Sequence, residues 1–414
     1  MINRNRHPFC QWSILVVVSV YAGAWGAPAV ETPYVAARWR GFADAAISMT
    51  FDDGSNGQFV ILVPLVNRYG YKVTFFVDMR NVDSLYHTPW DSIRYGASFG
   101  HEIASHSVHH NGMPSLSESE QEAELKNSRD TIDTQVPSQR CLTFSYPYCA
   151  VGNKALVAKY YIAARTCDDK IESFNSVDWF AISCAGVGNN WVDSAISKKG
   201  WYVSISHEVN DNWLQGHFDY LRAKGNRVWV ATFADVARYI RERQSLTVTQ
   251  KSLTSDSIVV RVTDTLPNVP YNVPVTLRTP LPAGWTVCSV MQNGKVRSDT
   301  LVMAEGRLCV QFDAVPDDGD VVLYKAVMVP VSRHARPPNG SNAYLTYANS
   351  MVIASLPSLA DNAVSLSIFD TQGKLVTRGI RSCDLHGRAQ GTYIVRMTES
   401  ASTGTKHIAH TKRQ

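Results

Sequence analysis

The stretch Ser48-Met49-Thr50-Phe51-Asp52-Asp53-Gly54 organises the first half of this chain. The run from Ala45 to Phe51 is typical of a buried strand, and it stops at two adjacent carboxylates and a glycine. Glycine tolerates the backbone angles of a tight turn at a strand end. A nearby cation would remove the repulsion between Asp52 and Asp53 and would allow them different roles. Taken alone, the stretch is equally compatible with a solvated turn.

Length and composition limit the class of protein. The chain has 414 residues, enough for two or three domains. Hydrophobic residues make up 45% and charged residues 18%, which indicates folded domains rather than disorder. The formal net charge of +4 is small for this length and gives no argument for a nucleic-acid partner.

Residues 1–26 are predicted to be a cleaved secretory signal. Arg4 and Arg6 form a basic end, Trp12 to Ala22 is an apolar run, and small residues precede Ala27. The alternative is an uncleaved membrane anchor, but the apolar run is short for a span. We therefore expect a secreted protein that reaches the cell surface or medium through the periplasm, without a stable membrane span.

From Ala45 to about Arg243, strand-like runs alternate with helical stretches. The predicted strands are Ala45–Phe51, Lys72–Asp78, His101–Ser105, Leu142–Ser145, Tyr160–Arg165, Trp201–His207 and Arg227–Thr232. Such alternation predicts an α/β fold with a parallel sheet, open or closed into a barrel. In these folds the chemistry lies at the carboxyl ends of the strands.

Three residues are predicted to begin helices in this region. Ser117 opens a capping box with Glu120, which predicts a helix to about Thr134. Asp211 is predicted to cap a helix through Leu221, and Thr232 one through Arg243.

Four histidines occur within ten residues, one in the third predicted strand and three directly after it. On a helical turn, His106 and His110 share a face, and this spacing allows two imidazoles to bind one metal ion. Asp53 would complete a three-ligand site with open positions. This ligand set suits zinc, and also cobalt, nickel or iron. The alternative is ordinary surface or core histidines, which is the role expected for His101 and His109.

Two motifs resemble a known family. Thr50–Gly54 and His106–His110 resemble the first two motifs of the polysaccharide deacetylases, the NodB-homology group or carbohydrate esterase family 4. Lys72–Val77 resembles the family's second strand, and the resemblance extends from about Ala45 to Arg243. It implies a distorted (β/α) barrel and metal-dependent hydrolysis of acetyl groups on an acetylated polysaccharide, with N-acetylglucosamine-type units favoured.

The resemblance also implies the roles of the first residues. Asp52 would be the catalytic base, which takes a proton from metal-bound water as the water attacks the acetyl carbonyl. Asp53, His106 and His110 would be the metal ligands.

The third motif departs from the family pattern. It usually reads Arg-x-Pro-Tyr, and here Ser145 stands in place of the arginine that orients the base. Pro147 and Tyr148 match, and Tyr148 would supply a groove wall and a backbone N–H for the oxyanion. Arg165, at the end of the next predicted strand, is a candidate substitute for the missing arginine.

The last two motifs of the family are less specific. Asp178 and Trp179 match the fourth, with Trp179 expected at the substrate groove. His207 ends the strand that matches the fifth, and it would donate a proton to the leaving group while Asp178 keeps it protonated. A core tryptophan and a buried histidine are the alternative interpretations.

The second half of the chain is predicted to be β-rich. We expect a β-sandwich over residues 245–331, a linker over 332–343 and a small β domain over 344–414, after a catalytic domain over 27–244. Ser365–Val376 and Gly391–Val395 resemble the sorting domain of the type IX secretion system, which would make secretion machinery a partner. The sandwich is expected to be a spacer, with carbohydrate binding as the alternative.

Seven cysteines lie beyond the predicted signal, and an exported chain can oxidise them. Cys288 and Cys309 lie in neighbouring strand-like segments and are a candidate pair. The four cysteines from Cys141 to Cys184 can form two bridges, whose connectivity the sequence leaves open.

The sequence therefore predicts a secreted, metal-dependent polysaccharide deacetylase with two appended β modules. Two alternatives stay open. One is an O-acetyl xylan esterase with the same site, and the other is a carbohydrate-binding surface protein that has lost activity.

Overall fold

The computed structural model describes residues 34–82, 88–207, 209, 211–286, 288–325 and 327–329, and the backbone of seven strands between 344 and 405. The predicted signal and linker lie outside these residues. The chain divides into two compact units. The first comprises Ala36–Leu246 and Asp264–Thr276, and the second comprises the N-terminal residues to Val35, Thr247–Thr263 and Leu277–Gln414. No helix among the described residues is long and apolar enough to cross a membrane.

The first unit is built on a curled parallel sheet. A two-residue strand, β1 (Val35–Ala36), precedes this sheet and is not part of it. The strands of the sheet are β2 (Ala45–Asp53), β3 (Thr74–Val77), β4 (Glu102–Ser105), β5 (Thr143–Ser145), β6 (Ala163–Arg165), β7 (Ala185–Gly186), β8 (Trp201–Ser206) and β9 (Val228–Val230). They are ordered β6-β5-β4-β3-β2-β8-β7, and β9 also pairs with β2. The predicted α/β fold with a parallel, barrel-like sheet is confirmed, although β7 was not predicted.

Seven α-helices are described in the same unit. They are α1 (Val63–Arg68), α2 (Trp90–Ser98), α3 (Glu118–Gln135), α4 (Lys154–Tyr160), α5 (Asn189–Lys198), α6 (Asp211–Lys224) and α7 (Phe233–Ser245). A π-helix spans Gln58–Leu62, and short 3-10 helices include Met79–Asn81 and Pro147–Cys149. The capping box of Ser117 and Glu120 is present at α3, and Thr232 caps α7, as predicted.

Both faces of the sheet are buried, which explains the continuous apolar run of β2. Alternate side chains of β2, such as Met49 and Phe51, pack in an outer cluster with Phe59 and Phe75. Ala46 packs instead in an inner cluster with neighbours such as Phe76, Trp201 and Phe233.

The strand register brings the carboxyl ends to one edge. Asp53 lies opposite Val77 of β3, and Val77 lies opposite Ser105 of β4. Ser145 lies opposite Arg165 across β5 and β6. The residues that follow these strands therefore meet at one end of the sheet.

The second unit is antiparallel. Its first strands are β10 (Thr247–Leu253), β11 (Ser257–Thr263), β12 (Val275–Pro280), β13 (Cys288–Gln292), β14 (Lys295–Val296), β15 (Asp299–Ala304), β16 (Arg307–Ala314) and β17 (Val321–Lys325). One sheet has the order β10-β11-β17-β13-β14, and another contains β12, β16 and β15. These two antiparallel sheets confirm that this part of the chain is β-rich. The sandwich itself stays a prediction.

Later strands form two further sheets. They are β18 (Val327–Val329), β19 (Tyr344–Ala348), β20 (Met351–Ser355), β21 (Val364–Asp370), β22 (Leu375–Ile380), β23 (Ser382–Asp384), β24 (Tyr393–Ala401) and β25 (Gly404–Thr405). The sheet orders are β18-β19-β20-β23 and β22-β21-β24-β25. The pairing of β18 with β19 joins strands on either side of the predicted linker, and the predicted domain boundaries stay predictions.

The cysteine pairing differs from one expectation. Cys288 and Cys309 are both buried and free, so the suggested pairing between them is wrong. Cys149 and Cys167 form a disulfide, while Cys141 and Cys184 are free, so one bridge rather than two forms among those four.

Candidate metal centre and catalytic site

Asp53, His106 and His110 bring three ligand atoms together at the carboxyl end of the sheet. Their ligand atoms all lie within 4.8 Å of one another. The two Nε2 atoms are 3.2 Å apart, and Asp53 Oδ1 lies 3.5 Å from His110 Nε2 and 3.8 Å from His106 Nε2. The structure therefore assembles the three residues that were predicted as metal ligands.

The donor arrangement fits a small divalent cation. His106 Nδ1–H donates to the Ser145 carbonyl oxygen at 2.8 Å, which leaves the Nε2 lone pair facing the other ligands. Two imidazole nitrogens that face each other at this distance repel unless a proton or a cation lies between them. In a tetrahedral site with bonds of about 2.0–2.1 Å, ligand atoms are about 3.3 Å apart, close to the separations here.

The segment that carries the histidines is a loop, so the predicted helical turn is wrong. Ser107 and His110 have positive φ values of 73° and 54°. Glu124 of α3 holds this loop, since its carboxylate accepts hydrogen bonds from the backbone N–H groups of Val108 and His109 at 2.8 Å each. It also contacts His109 Nδ1 at 2.5 Å. His109 is thus structural, as expected.

Asp52 lies beside the metal centre and is only 3% exposed. Its Oδ2 atom is 3.8 Å from His106 Nε2. Both carboxylate oxygens accept hydrogen bonds from Arg165 Nη2. Burial raises the pKa of Asp52, but Arg165 and His106 outweigh it, so the pKa lies below its usual value and the carboxylate stays charged.

Arg165 pairs with Asp52, as predicted for a substitute of the missing motif arginine. It is fully buried at the end of β6, and its Nη2 also donates to Ser145 Oγ at 2.5 Å. Its Nη1 donates to Cys184 Sγ at 3.0 Å. Ser145, which replaces the family's arginine, therefore helps to seat the guanidinium that pairs with Asp52.

Tyr148 is an exposed residue in contact with the candidate ligand His110. Its side chain is 72% exposed, and its ring meets that of His110 edge to face, with centroids 4.7 Å apart. Its φ of 56° places it in the left-handed region. A disulfide joins the next residue, Cys149, to Cys167, which lies two residues beyond Arg165. Pro147, which precedes Tyr148, is buried.

Three further residues were predicted at the site: His207, Asp178 and Trp179. His207 is exposed directly after β8, and its charge contributes to the lowered pKa of Asp52. Asp178 forms an ion pair with Lys154 at 2.5 Å. Trp179 packs beneath the guanidinium of Arg241, 4.2 Å from the ring centroid. The roles of His207, Asp178 and Trp179 stay predictions.

Sequence reasoning missed four supporting residues. Gln58 Nε2 donates to the Asp52 carbonyl oxygen at 2.6 Å, and Asn81 Nδ2 donates to that of Asp53 at 3.0 Å. Glu124 and Cys184 act as described above. Local sequence offers no signal for them, except that Asn81 closely follows the second matched strand.

Several known proteins are similar to this chain in sequence. A family model described as polysaccharide deacetylase matches residues 40–162. Gellan lyase of a Bacillus species is 24% identical over 339 residues, which cover 72% of this chain and 13% of that protein. YxkH of Bacillus subtilis (strain 168) is 25% identical over 116 residues, and a protein of Arthroderma benhamiae is 24% identical over 188 residues.

The names of these last two proteins refer to deacetylation of polysaccharide and of peptidoglycan N-acetylglucosamine. The matches cover 28% and 43% of this chain and 41% of each of the two proteins. The chain therefore spans less than half the length of these curated relatives.

Some solved structures are also similar to this chain. A family 4 carbohydrate esterase from Bacillus anthracis is 17% identical with a TM-score of 0.36, covering 47% of this chain and 83% of that one. The chitin deacetylase from Colletotrichum lindemuthianum is 16% identical with a TM-score of 0.34, covering 46% and 86%. The match of the family model supports a polysaccharide deacetylase domain in this chain.

Proposed function

We propose that this protein is a secreted, metal-dependent hydrolase that removes acetyl groups from a polysaccharide, with N-acetylated sugars as the favoured units. One observation carries the proposal. A buried carboxylate, Asp52, is kept ionised by Arg165 directly beside a cluster of three metal-ligand side chains.

Asp53, His106 and His110 would hold the metal, and zinc is the ion we propose. A divalent cation held there supplies Lewis acidity, which polarises a carbonyl oxygen and lowers the pKa of water. The buried Nδ1–H of His106 is fixed on the Ser145 carbonyl, so this ring presents Nε2 to the ion.

Asp52 would act as the general base. Its low pKa keeps it unprotonated near neutral pH, and its oxygens lie on the side of the metal cluster. Arg165 holds the carboxylate in one orientation, so Asp52 can accept the proton that the attacking water loses.

The remaining roles rest on the resemblance to the family motifs. The backbone N–H of Tyr148 would stabilise the oxyanion of the tetrahedral intermediate, and its exposed ring would form a groove wall. His207 would donate a proton to the leaving amine, a role that an imidazolium N–H can fill. Asp178 and Trp179 would contribute to this side of the groove.

The test is acetate release by the zinc-loaded mature protein from N-acetylated chitin oligomers, peptidoglycan and acetylated xylan. Asp52→Asn should lower turnover by about 10²–10⁴-fold and leave the metal bound, because it removes the base but no ligand. Asp91→Asn, at a 92% exposed side chain, is the matched control.

Each outcome has a distinct meaning. Release that depends on Asp52 supports the enzyme, and release from xylan alone would replace amide by ester hydrolysis. The absence of release from all three polymers, with metal bound, would contradict the proposal and favour the binding protein.

Export is a further part of the proposal. It is based on the N-terminal residues and on the C-terminal resemblance to a type IX sorting domain. Cell fractionation of the producing organism tests it, and retention in the cytoplasm would contradict it.

A further inference from the structure

A short 3-10 helix, Met79–Asn81, bridges the two loops that carry the metal ligands. Met79 N–H donates to the Ser107 carbonyl at 3.3 Å, next to His106. Asn81 Nδ2 donates to the Asp53 carbonyl at 3.0 Å. The middle residue, Arg80, is therefore anchored on both sides beside the candidate metal centre.

Asp78 fixes the orientation of the Arg80 guanidinium. Arg80 Nε and Nη2 donate to Asp78 Oδ2 at 3.0 and 2.7 Å, and the Arg80 backbone N–H donates to Asp78 Oδ1 at 2.9 Å. Among the described residues, no hydrogen-bond acceptor contacts Arg80 Nη1. Asp78 thus fixes the guanidinium, and within the described part of the chain its Nη1 is left without an acceptor.

The Asp78–Arg80 pair is neutral as a whole, but its two charges differ in exposure to solvent. The Asp78 side chain is fully buried, whereas that of Arg80 is 50% exposed. A ligand that approaches the rim therefore meets the cation and not its counter-ion.

The charge of Arg80 also acts at the catalytic end of the unit. The hydrogen bond to Asp78 raises the pKa of Arg80 most, and Tyr148 and Asp53 add to it. The guanidinium therefore lies within electrostatic reach of a metal ligand and of the proposed groove wall.

We propose that Arg80 binds an anionic group of the substrate, so that the polysaccharide is acidic and carries carboxylates or sulfates near its acetyl groups. This inference rests on the proposed deacetylase function. An arginine that is already fixed loses little side-chain entropy when it forms a charged hydrogen bond, which favours this use.

The first test is binding, which does not require turnover. Zinc-loaded full-length protein with Asp52→Asn is titrated calorimetrically with oligogalacturonate, sulfated carrageenan oligomers and neutral chitin oligomers, with and without Arg80→Gln. We expect Arg80→Gln to reduce the preference for the acidic over the neutral oligomer by about tenfold, the effect of losing a charged hydrogen bond. Whichever acidic oligomer shows this loss identifies the anion.

Two controls guard against misfolding. Arg80→Gln leaves a buried Asp78 without its partner, so Asp78→Asn/Arg80→Gln removes both charges together and should show the same loss of preference. Arg94→Gln, whose partner Asp91 is exposed, should leave the preference unchanged. An unchanged preference in the folded double variant would overturn the inference.

The two proposals can fail separately. Arg80-dependent binding of an acidic oligomer by a protein that releases no acetate would support the site and contradict the enzyme. Acetate release with the same acid-to-neutral preference in wild type and Arg80→Gln would support the enzyme and overturn the role of Arg80.

Discussion

At the scale of single residues, the pairing of Asp52 with Arg165 is central to the candidate site. An isolated buried carboxylate would become protonated, because burial raises its pKa. Arg165 reverses this effect, and Ser145 and Cys184 hold the guanidinium in place. The proposed catalytic base thus pairs with an arginine from a different strand than the motif of the resembled family would suggest.

Replacing Arg165 should move the acidic limb of the pH–rate profile to higher pH. With the cation gone, burial dominates and Asp52 gains its proton at a higher pH, so kcat/KM at pH 6 should fall by about 10²-fold. The Arg165→Lys variant, which keeps the charge, should move the limb less. An acidic limb at the wild-type position in Arg165→Gln would contradict the role of Arg165.

Asp299 in the second unit should give that unit a pH-dependent stability. Burial raises the pKa of Asp299 to about 7, despite a hydrogen bond from the Val290 N–H. The folded state binds the proton more tightly than the unfolded state, so stability falls as pH rises from about 4 to 7. At pH 8, the free energy of unfolding of Asp299→Asn should therefore exceed that of the wild type by on the order of 1 kcal/mol. The measurement is the denaturant midpoint, which should be higher in the variant. Equal midpoints at pH 8 would show that Asp299 is well solvated.

At the scale of elements, the site depends on supports that lie outside the strands. Helix α3 holds the histidine loop through Glu124, and a disulfide joins the loops after β5 and β6. Glu124 lies 16 and 15 residues from the two backbone N–H groups it binds, and the disulfide joins cysteines that are 18 residues apart.

Glu124→Gln should weaken metal binding. The amide oxygen can still accept both backbone N–H bonds, but it carries no charge and binds them more weakly than a carboxylate. The variant also loses the charged contact to His109, so the loop loosens. We expect a loss in zinc affinity of about 10–100-fold, measured by competition with a chelator. Glu122→Gln, on the exposed side of the same helix, is the control, and equal affinities for both variants would contradict the prediction.

Loss of the disulfide should lower kcat without releasing the metal. Cys149 follows Tyr148, and Cys167 follows Arg165 by two residues, so Cys149→Ser/Cys167→Ser frees the proposed oxyanion donor. A fall in kcat of about tenfold with unchanged zinc affinity is expected, since the three ligands lie elsewhere. An unchanged kcat in the double variant would show that hydrogen bonds, such as the one from Thr166 Oγ1 to the carbonyl oxygen of residue 149, are enough to hold the loop.

At the scale of the whole molecule, the two units should respond differently to metal. Asp53, His106 and His110 all belong to the first unit. Zinc at about 1,000 times its Kd would stabilise that unit by about 4 kcal/mol through mass action. Chelation should therefore lower the unfolding temperature of the first unit alone, as followed by calorimetry. A shift in every transition would indicate that both units unfold together.

The sequence alone was sufficient to predict the parallel sheet and to single out the three candidate ligand residues that meet in the structure. Hydrophobic periodicity identifies strands locally, and the carboxyl ends of parallel strands necessarily meet at one edge, so Asp53, His106 and His110 had to converge. The helical turn predicted for the histidines was wrong, because spacing alone does not distinguish a turn of helix from a loop with positive φ.

The tertiary structure decided which side chains face one another over long separations. Arg165 and Asp52 are 113 residues apart, and the sequence could only suggest that they pair. The Cys149–Cys167 bridge, the support from Glu124 and the rim position of Arg80 were likewise open. Local residues determine the elements, whereas strand register and the reach of each side chain across the packed sheet determine the partners.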